Sequence, residues 1–196
     1  MKYEKIKHKV IDNVRVYDLE NSVKESKYPM QVDVSKCNPQ VTDRTVKLAT
    51  APRGSGHDNF LKGIIVRFDL TLTVKAWIEA ERYHWLDITS MQSTMHRIAQ
   101  MDYTQCFCGY VTNSMLNEME RLREAYNASQ SHEDYLALLY NCPVGMILTA
   151  GISTNYLQLK TIYAQRKKHL LPEWRIVCGW IETLPHSEFI TGKAEK

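Results

Sequence analysis

The longest regular pattern in the chain runs from Ile64 to Lys75. Ile64, Val66, Phe68, Leu70, Leu72 and Val74 alternate with Ile65, Arg67, Asp69, Thr71, Thr73 and Lys75. A period of two, rich in β-branched residues, predicts a strand with one buried and one wet face, the even-numbered residues being the buried set. One wet face points to an antiparallel sheet rather than a parallel sheet covered on both sides. Val10 to Tyr17 is a weaker strand candidate that would pair with it.

The remaining patterns are helical. Thr42 or Asp43 is placed to cap a short helix carrying Val46 and Leu48, which ends before the turn-rich Pro52-Arg53-Gly54-Ser55-Gly56. Ala76 to Trp85 contains no breaker and carries Trp77, Ile78 and Ala80, so it predicts a helix with His84 near its end. After Asn113, the residues Met115, Met119, Leu122 and Tyr126 share one helical face. Ser131 with Asp134 resembles a capping start for a helix holding Leu136, Leu139 and Tyr140. Tyr156, Leu159, Ile162 and Tyr163 form another stripe, opened by Asn155 and closed by Arg166. Pro172 suits a first helical position, with Trp174, Val177, Ile181 and Leu184 following at helical spacing. The expected fold class is α+β: a small antiparallel sheet early in the chain, with helices dominating late. No repeat or linker interrupts it, so residues 1–190 are expected to form one domain and 191–196 a flexible tail.

Composition narrows the function classes. The chain has 196 residues, enough to bury a core without disulfides or metal. It carries 25 Lys plus Arg against 22 Asp plus Glu, a net charge of +3. That balance argues against a protein that coats nucleic acid or a polybasic membrane binder, but leaves room for one local phosphate pocket. No apolar run approaches the ~18 residues of a membrane helix. The charged N-terminus, MKYEKIKHKVIDN, lacks a signal-peptide apolar region. The five cysteines are odd in number and irregularly spaced, which predicts free thiols and a cytoplasmic protein.

Familiar catalytic motifs are absent. There is no G-x-G-x-x-G, P-loop, H-E-x-x-H or C-x-x-C, and no nucleophile elbow. Cys106-x-Cys108 is one residue too tight for a standard zinc half-site, so no metal is expected. What remains is a set of polar residues: His57 ahead of the long strand, His84 after it, then Ser90, Ser93, Thr94, His96 and Arg97, and late in the chain Asn155 and Arg166. Each has an ordinary structural reading. His57 would be a turn residue, His84 would sit under Trp85, Ser90 and Ser93 would cap a helix, and Arg166 would answer a helix dipole.

Three blocks, SGHDNFLKGIIVRFDLTLT, ERYHWLDITSMQSTMHR and TNYLQLKTIYAQR…PEWR, together resemble the flavin-dependent thymidylate synthase (ThyX) family. That family has a Gly-His-Glu turn leading into a strand, then Arg-His-Arg, seven residues and Ser. Late in the chain comes Asn-x-Arg…Leu-Arg. His57 to His84 has the expected interval, His84 and Ser93 keep the His-to-Ser spacing, and Asn155, Arg166 and Arg175 match the late block. The three blocks cover about half of the chain in the right order. Both flanking arginines are replaced, by Tyr83 and Trp85. Met95 stands where the serine-rich block has Arg, and no basic residue stands near Thr149. Arg82, His96 and Arg97 are the nearby candidates to substitute.

The resemblance implies FAD and a pyrimidine deoxynucleotide such as dUMP, bound between subunits of a homotetramer. Methylenetetrahydrofolate and NAD(P)H would complete a reductive methylation to dTMP. No protein nucleophile is needed, because the flavin carries the redox chemistry. His57, His84 and Asn155 would line the flavin, and Ser90, Ser93, Arg97 and Arg166 the nucleotide. A bidentate Arg suits a pyrimidine carbonyl edge. The alternative implied by the missing arginines is a non-catalytic nucleotide-binding or regulatory protein on the same scaffold.

Overall fold

The structure, a computed structural model, describes residues 5–193. In chain order it runs β1 (Ile11–Tyr17), α1 (Leu19–Glu25), α2 (Asp43–Ala49), β2 (Ile65–Thr73), α3 (Val74–Ala80), β3 (Asp87–Met91), α4 (Thr94–Arg97), α5 (Asn113–Ser129), α6 (His132–Tyr140), β4 (Ile147–Asn155), α7 (Tyr156–Arg166), α8 (Pro172–Ile181) and α9 (Glu188–Thr191). The four strands form one sheet in the order β1-β2-β4-β3, and every neighbouring pair is antiparallel. The fold class is α+β, as the residue patterns indicate.

The long alternation is the strand β2. Val66, Phe68, Leu70 and Leu72 are buried, as is Ile64 just ahead of it. They face the helices, and the Phe68 ring lies 4.7 Å from Trp180 of α8. Val74 leaves the alternation because Thr73 caps α3, its side chain accepting the Ala76 N–H. The Val10–Tyr17 candidate is β1, paired with β2 and bulged between Asp12 and Arg15, where Asn13 has φ +51°. Thr42 caps α2 in a reciprocal box with Thr45.

Four readings are corrected. The helix after β2 stops at Ala80, because Tyr83 turns inward against Trp174 and its N–H bonds back to Ala80. His84 therefore lies in a turn, not at a helix end. The sheet is not confined to the early chain: β4 is central and β3 is an edge strand. In the stripe after Asn113, Met119 and Leu122 are buried but Met115 is exposed; in α6, Leu138 is the buried residue and Tyr140 points outward.

The last helix runs through Thr191, and Lys193 Nζ donates to Glu182 at 2.5 Å. Positions 194–196 of the expected tail lie outside the described residues. All five cysteines are free thiols. Among the described residues no helix is long and apolar enough to cross a membrane.

The buried face of β2 provides a test. Phe68→Asp is expected to lower unfolding free energy by about 4 kcal/mol or more, by placing an unpaired carboxylate beside Trp180. Urea denaturation of the variant measures it; an unchanged midpoint would contradict the assignment.

Candidate functional site

The helices that carry the polar residues start directly from the sheet. Thr73, the last residue of β2, caps α3, and Asn155, the last residue of β4, caps α7 by accepting the Gln158 N–H at 2.9 Å. In the antiparallel β2–β4 ladder Thr73 pairs with Ile147 and Ile65 with Asn155, so the two helices begin at opposite ends. They run back over the same sheet face and meet.

At the start of α7 the structure gathers His84, Trp85 and Asn155. Trp85 N–H donates to Gln158 Oε1 at 3.2 Å, and Thr154 Oγ1 donates to the Trp85 carbonyl at 2.5 Å. The His84 ring meets Trp85 edge-on at 5.1 Å. Trp85 and Asn155 line a cavity of about 190 Å³ together with Lys62, Ile65, Asp87 and Ser153. Asn155 is buried and its Oδ1 is taken up by the capping bond, while His84 and Trp85 are exposed.

His57 is also exposed, in the loop ahead of β2. Its neighbour Asp58 is buried, and Lys160 of α7 bonds it at 2.8 Å while also donating to the Ala49 and Ala51 carbonyls. That cluster pins the His57 loop to α7. Lys160 and Gln158 are two residues apart, about 200° around the helix, so the His57 loop and the Trp85 turn are anchored on different sides of α7.

Ser90 and Ser93 lie toward the opposite end of β3, whose five residues span about 13 Å at ~3.3 Å each. Ser90 pairs with Gly151 across a bulge. Ser93 precedes α4 but caps nothing; its Oγ is 2.9 Å from His96 Nδ1. Arg97 is exposed and donates to Gln100 Oε1 at 2.7 Å.

Arg166 occupies a third place, at the end of α7 against α3. Its Nε donates to Tyr83 Oη at 2.7 Å and its Nη1 to Glu79 Oε2 at 2.8 Å, with His169 Nε2 2.7 Å from the same Nη1. The guanidinium lies over Trp174, 4.9 Å from the ring centre. Trp174 Nε1 and Lys75 also donate to Glu79. The Arg166 side chain is 13% exposed and that of Glu79 16%. Burial raises the Glu79 carboxyl, but Lys75, His169 and Arg166 outweigh it and hold the group below the usual glutamate range. Burial raises the Tyr83 hydroxyl, against the opposing pull of Arg166. Nη2 of Arg166 has no hydrogen-bond partner among the described residues. Arg166 is thus a charge-neutralised, oriented donor rather than a solvated member of a basic run. Arg175 faces elsewhere, donating to the His169 and Leu170 carbonyls.

One chain therefore brings His84 and Asn155 together, but places Ser90, Ser93 and Arg97 at another sheet end, and Arg166 at a third place. Sequence reasoning missed Glu79, Gln158, His169 and the Asp58–Lys160 pair. Only Glu79 leaves a trace in the sequence, at helical spacing from Lys75 and Tyr83. Among the described residues no group of three His, Cys, Asp or Glu is placed to hold a metal ion. Burial pushes the Cys106 thiol up to about 11 and Cys142 up to about 12.

No protein-family model matches the sequence, and no curated protein matches it. Solved structures do. A crystal structure of flavin-dependent thymidylate synthase ThyX from Helicobacter pylori, complexed with FAD and dUMP, is similar with a TM-score of 0.69 at 14% identity, over 93% of this chain and 97% of that one. A second H. pylori ThyX structure with FAD and dUMP gives a TM-score of 0.70 at 14% identity, over 92% and 96%. The UMP/dUMP methylase PolB from Streptomyces cacaoi, bound with 5-Br dUMP, gives 0.60 at 15% identity, over 88% and 89%. The chain has a ThyX-like fold.

The ion pair beneath Arg166 is testable by pH. A carboxylate with a depressed folded-state pKa stabilises the protein above its unfolded value of ~4.3, and that contribution fades as pH falls through the folded value. Glu79→Gln is expected to cost about 2 kcal/mol at pH 7, with the gap to the parent narrowing below about pH 4. Thermal unfolding of both proteins across pH checks this; a pH-independent gap would contradict the ion pair.

Proposed function

We propose that this chain is a divergent flavin-dependent thymidylate synthase-like protein that binds FAD and a pyrimidine deoxynucleotide such as dUMP. The nearest reaction is reductive methylation to dTMP with methylenetetrahydrofolate and NAD(P)H. The observation that carries the reading is the fold shared with ThyX structures over nearly the whole chain, joined to His57, His84, Ser93, Asn155 and Arg166 standing in the family's order.

The residues fit the ring end of a flavin but not the whole cofactor. Trp85 offers an exposed aromatic face beside His84 and Asn155, and aromatic stacking suits a planar ring. The cavity of about 190 Å³ there is below the ~300 Å³ floor of typical ligand sites. FAD would therefore rest on His84 and Asn155 of one copy, with His57 and further surface from another. A bound flavin would supply the hydride-transfer chemistry. Ser90, Ser93 and Arg97 would hold the nucleotide, and Arg166 would present Nη2 to the pyrimidine carbonyl edge. Glu79, Tyr83 and His169 would hold that guanidinium in place, so less entropy is lost on binding. The dispersal of these groups within one chain is the argument for a homo-oligomer, most simply a tetramer. The side of the sheet away from the helices, where Arg15 and Tyr17 of β1 lie beside Arg67 and Asp69 of β2, is a surface such an assembly could cover.

One observation favours the second reading, a nucleotide-binding protein without catalysis. Glu79 already neutralises Arg166, and Tyr83, Trp85 and Met95 stand where the family has arginine, so little positive charge remains for a phosphate dianion. Under this reading the nucleotide binds and no NAD(P)H is consumed.

Purified protein is expected to be yellow and to release flavin on denaturation. Calorimetric titration with dUMP is expected to show binding that Arg166→Ala weakens by about 2 kcal/mol, while flavin content changes less. Binding with dUMP-dependent NAD(P)H oxidation supports the enzyme, and binding without it the second reading. A colourless protein that ignores dUMP would contradict both. Sedimentation equilibrium is expected to show a homo-oligomer at micromolar concentration; a strict monomer would contradict the shared site.

A further inference from the structure

Glu173 is the second residue of α8 and is only 2% exposed. It lines a largely apolar cavity of about 440 Å³, within the range of small-molecule sites. None of the residues proposed above for flavin or nucleotide lines this cavity. Around it, Tyr110, Met115, Val144 and Leu170 are exposed at 60%, 46%, 54% and 86%. Four of the chain's exposed large apolar side chains thus surround one cavity.

The carboxylate is incompletely satisfied. Thr73 Oγ1 donates to Glu173 Oε1 at 2.7 Å. No hydrogen bond reaches Oε2 from the described residues, and no Lys, Arg or His lies within ion-pair distance of Glu173. Oε2 is also not a sealed orphan of the kind found at Glu188 Oε2, so it keeps an opening. Glu173 and its hydrogen-bond partner Thr73 both line the cavity, which puts the carboxylate at the cavity wall. Lys75 lines it too, but its ammonium is bound to Glu79 at 3.1 Å. Burial lowers the pKa of His8, against the opposing pull of Glu173, and no ion pair joins the two. The amino end of α8 offsets part of the carboxylate's charge. Among the described residues no hydrogen bond or ion pair supplies the cation and second donor that a buried carboxylate calls for.

We propose that this cavity binds a small organic cation with an apolar body, an amidinium or protonated amine whose N–H groups reach Glu173 while its hydrocarbon or ring part fills the space beneath Tyr110, Met115, Val144 and Leu170. The apolar walls favour the body, and the single carboxylate selects the charged head. An anionic ligand is excluded by the same group. This site is independent of the flavin and nucleotide reading, and stands or falls separately.

Benzamidine is a suitable probe, with benzamide as its neutral isostere and benzoate as its anionic counterpart. Heteronuclear NMR titration of the intact protein is expected to show saturable benzamidine binding, with shifts centred on residues 73, 110, 144 and 170–173. Benzamide should bind at least tenfold more weakly, and benzoate not at all. Glu173→Gln keeps the acceptor for Thr73 and should weaken benzamidine at least tenfold. Val144→Trp, at the exposed rim, should do the same by narrowing the entrance while leaving the carboxylate intact; it decides the matter if Glu173→Gln does not fold. Equal binding of benzamidine and benzamide, undiminished binding by these variants, shifts centred elsewhere, or no saturable binding would each overturn the proposal.

Discussion

The β2–β4 ladder sets the position of everything else in the molecule. Nine residues of each strand pair in unbroken antiparallel register, from Ile65 with Asn155 to Thr73 with Ile147. The last side chain of each strand caps the helix that follows, so neither connection has a loop in which to relax. Two helices launched from opposite ends of one ladder pass each other over its buried face. The Trp85 turn then meets the first turn of α7, and Glu79 and Tyr83 meet its last. A one-residue slip in the ladder would turn Val66, Phe68, Leu70 and Leu72 outward and separate both contacts.

Much of this was legible in the residues. The alternation of β2, the caps at Thr42, Ser131 and Asn155, and the stripe of α7 all follow from local chemistry. β4 was not legible because its inward positions include Ala150 and Thr154 and its outward ones Gly151 and Ser153, so polarity does not alternate cleanly. It is a strand because β2 and β3 pair with its two edges. β3 is an exposed edge with no periodic signal at all. The overrun of α3 has the same origin: Glu81 to Trp85 contains no breaker, and only the docking of Tyr83 against Trp174 and of Trp85 against Gln158 ends the helix. The candidate residues were visible as types and spacings. Their separation into three places was not, because it depends on which strand ends they flank.

Arg166 concentrates the functional question. In sequence it precedes Lys167 and Lys168 and looks like part of a solvated basic run. In the fold it is the centre of a cluster of Glu79, Tyr83, His169 and Trp174, with three of its contacts made by hydrogen bonds of 2.7–2.8 Å. Such a cluster fixes direction while it removes net charge. A carbonyl edge needs an aimed donor, whereas a phosphate needs uncompensated charge. Arg166 keeps the aim that the first needs, while its pairing with Glu79 removes the charge that the second needs.

A crystal structure grown with FAD and dUMP tests this account most directly. The account predicts dUMP with its pyrimidine edge at Arg166 Nη2, the Glu79 ion pair intact, and Ser93 of a different copy beside the same nucleotide. A nucleotide held within a single copy, or held away from Arg166 with its Nη2 still unpartnered, would contradict it.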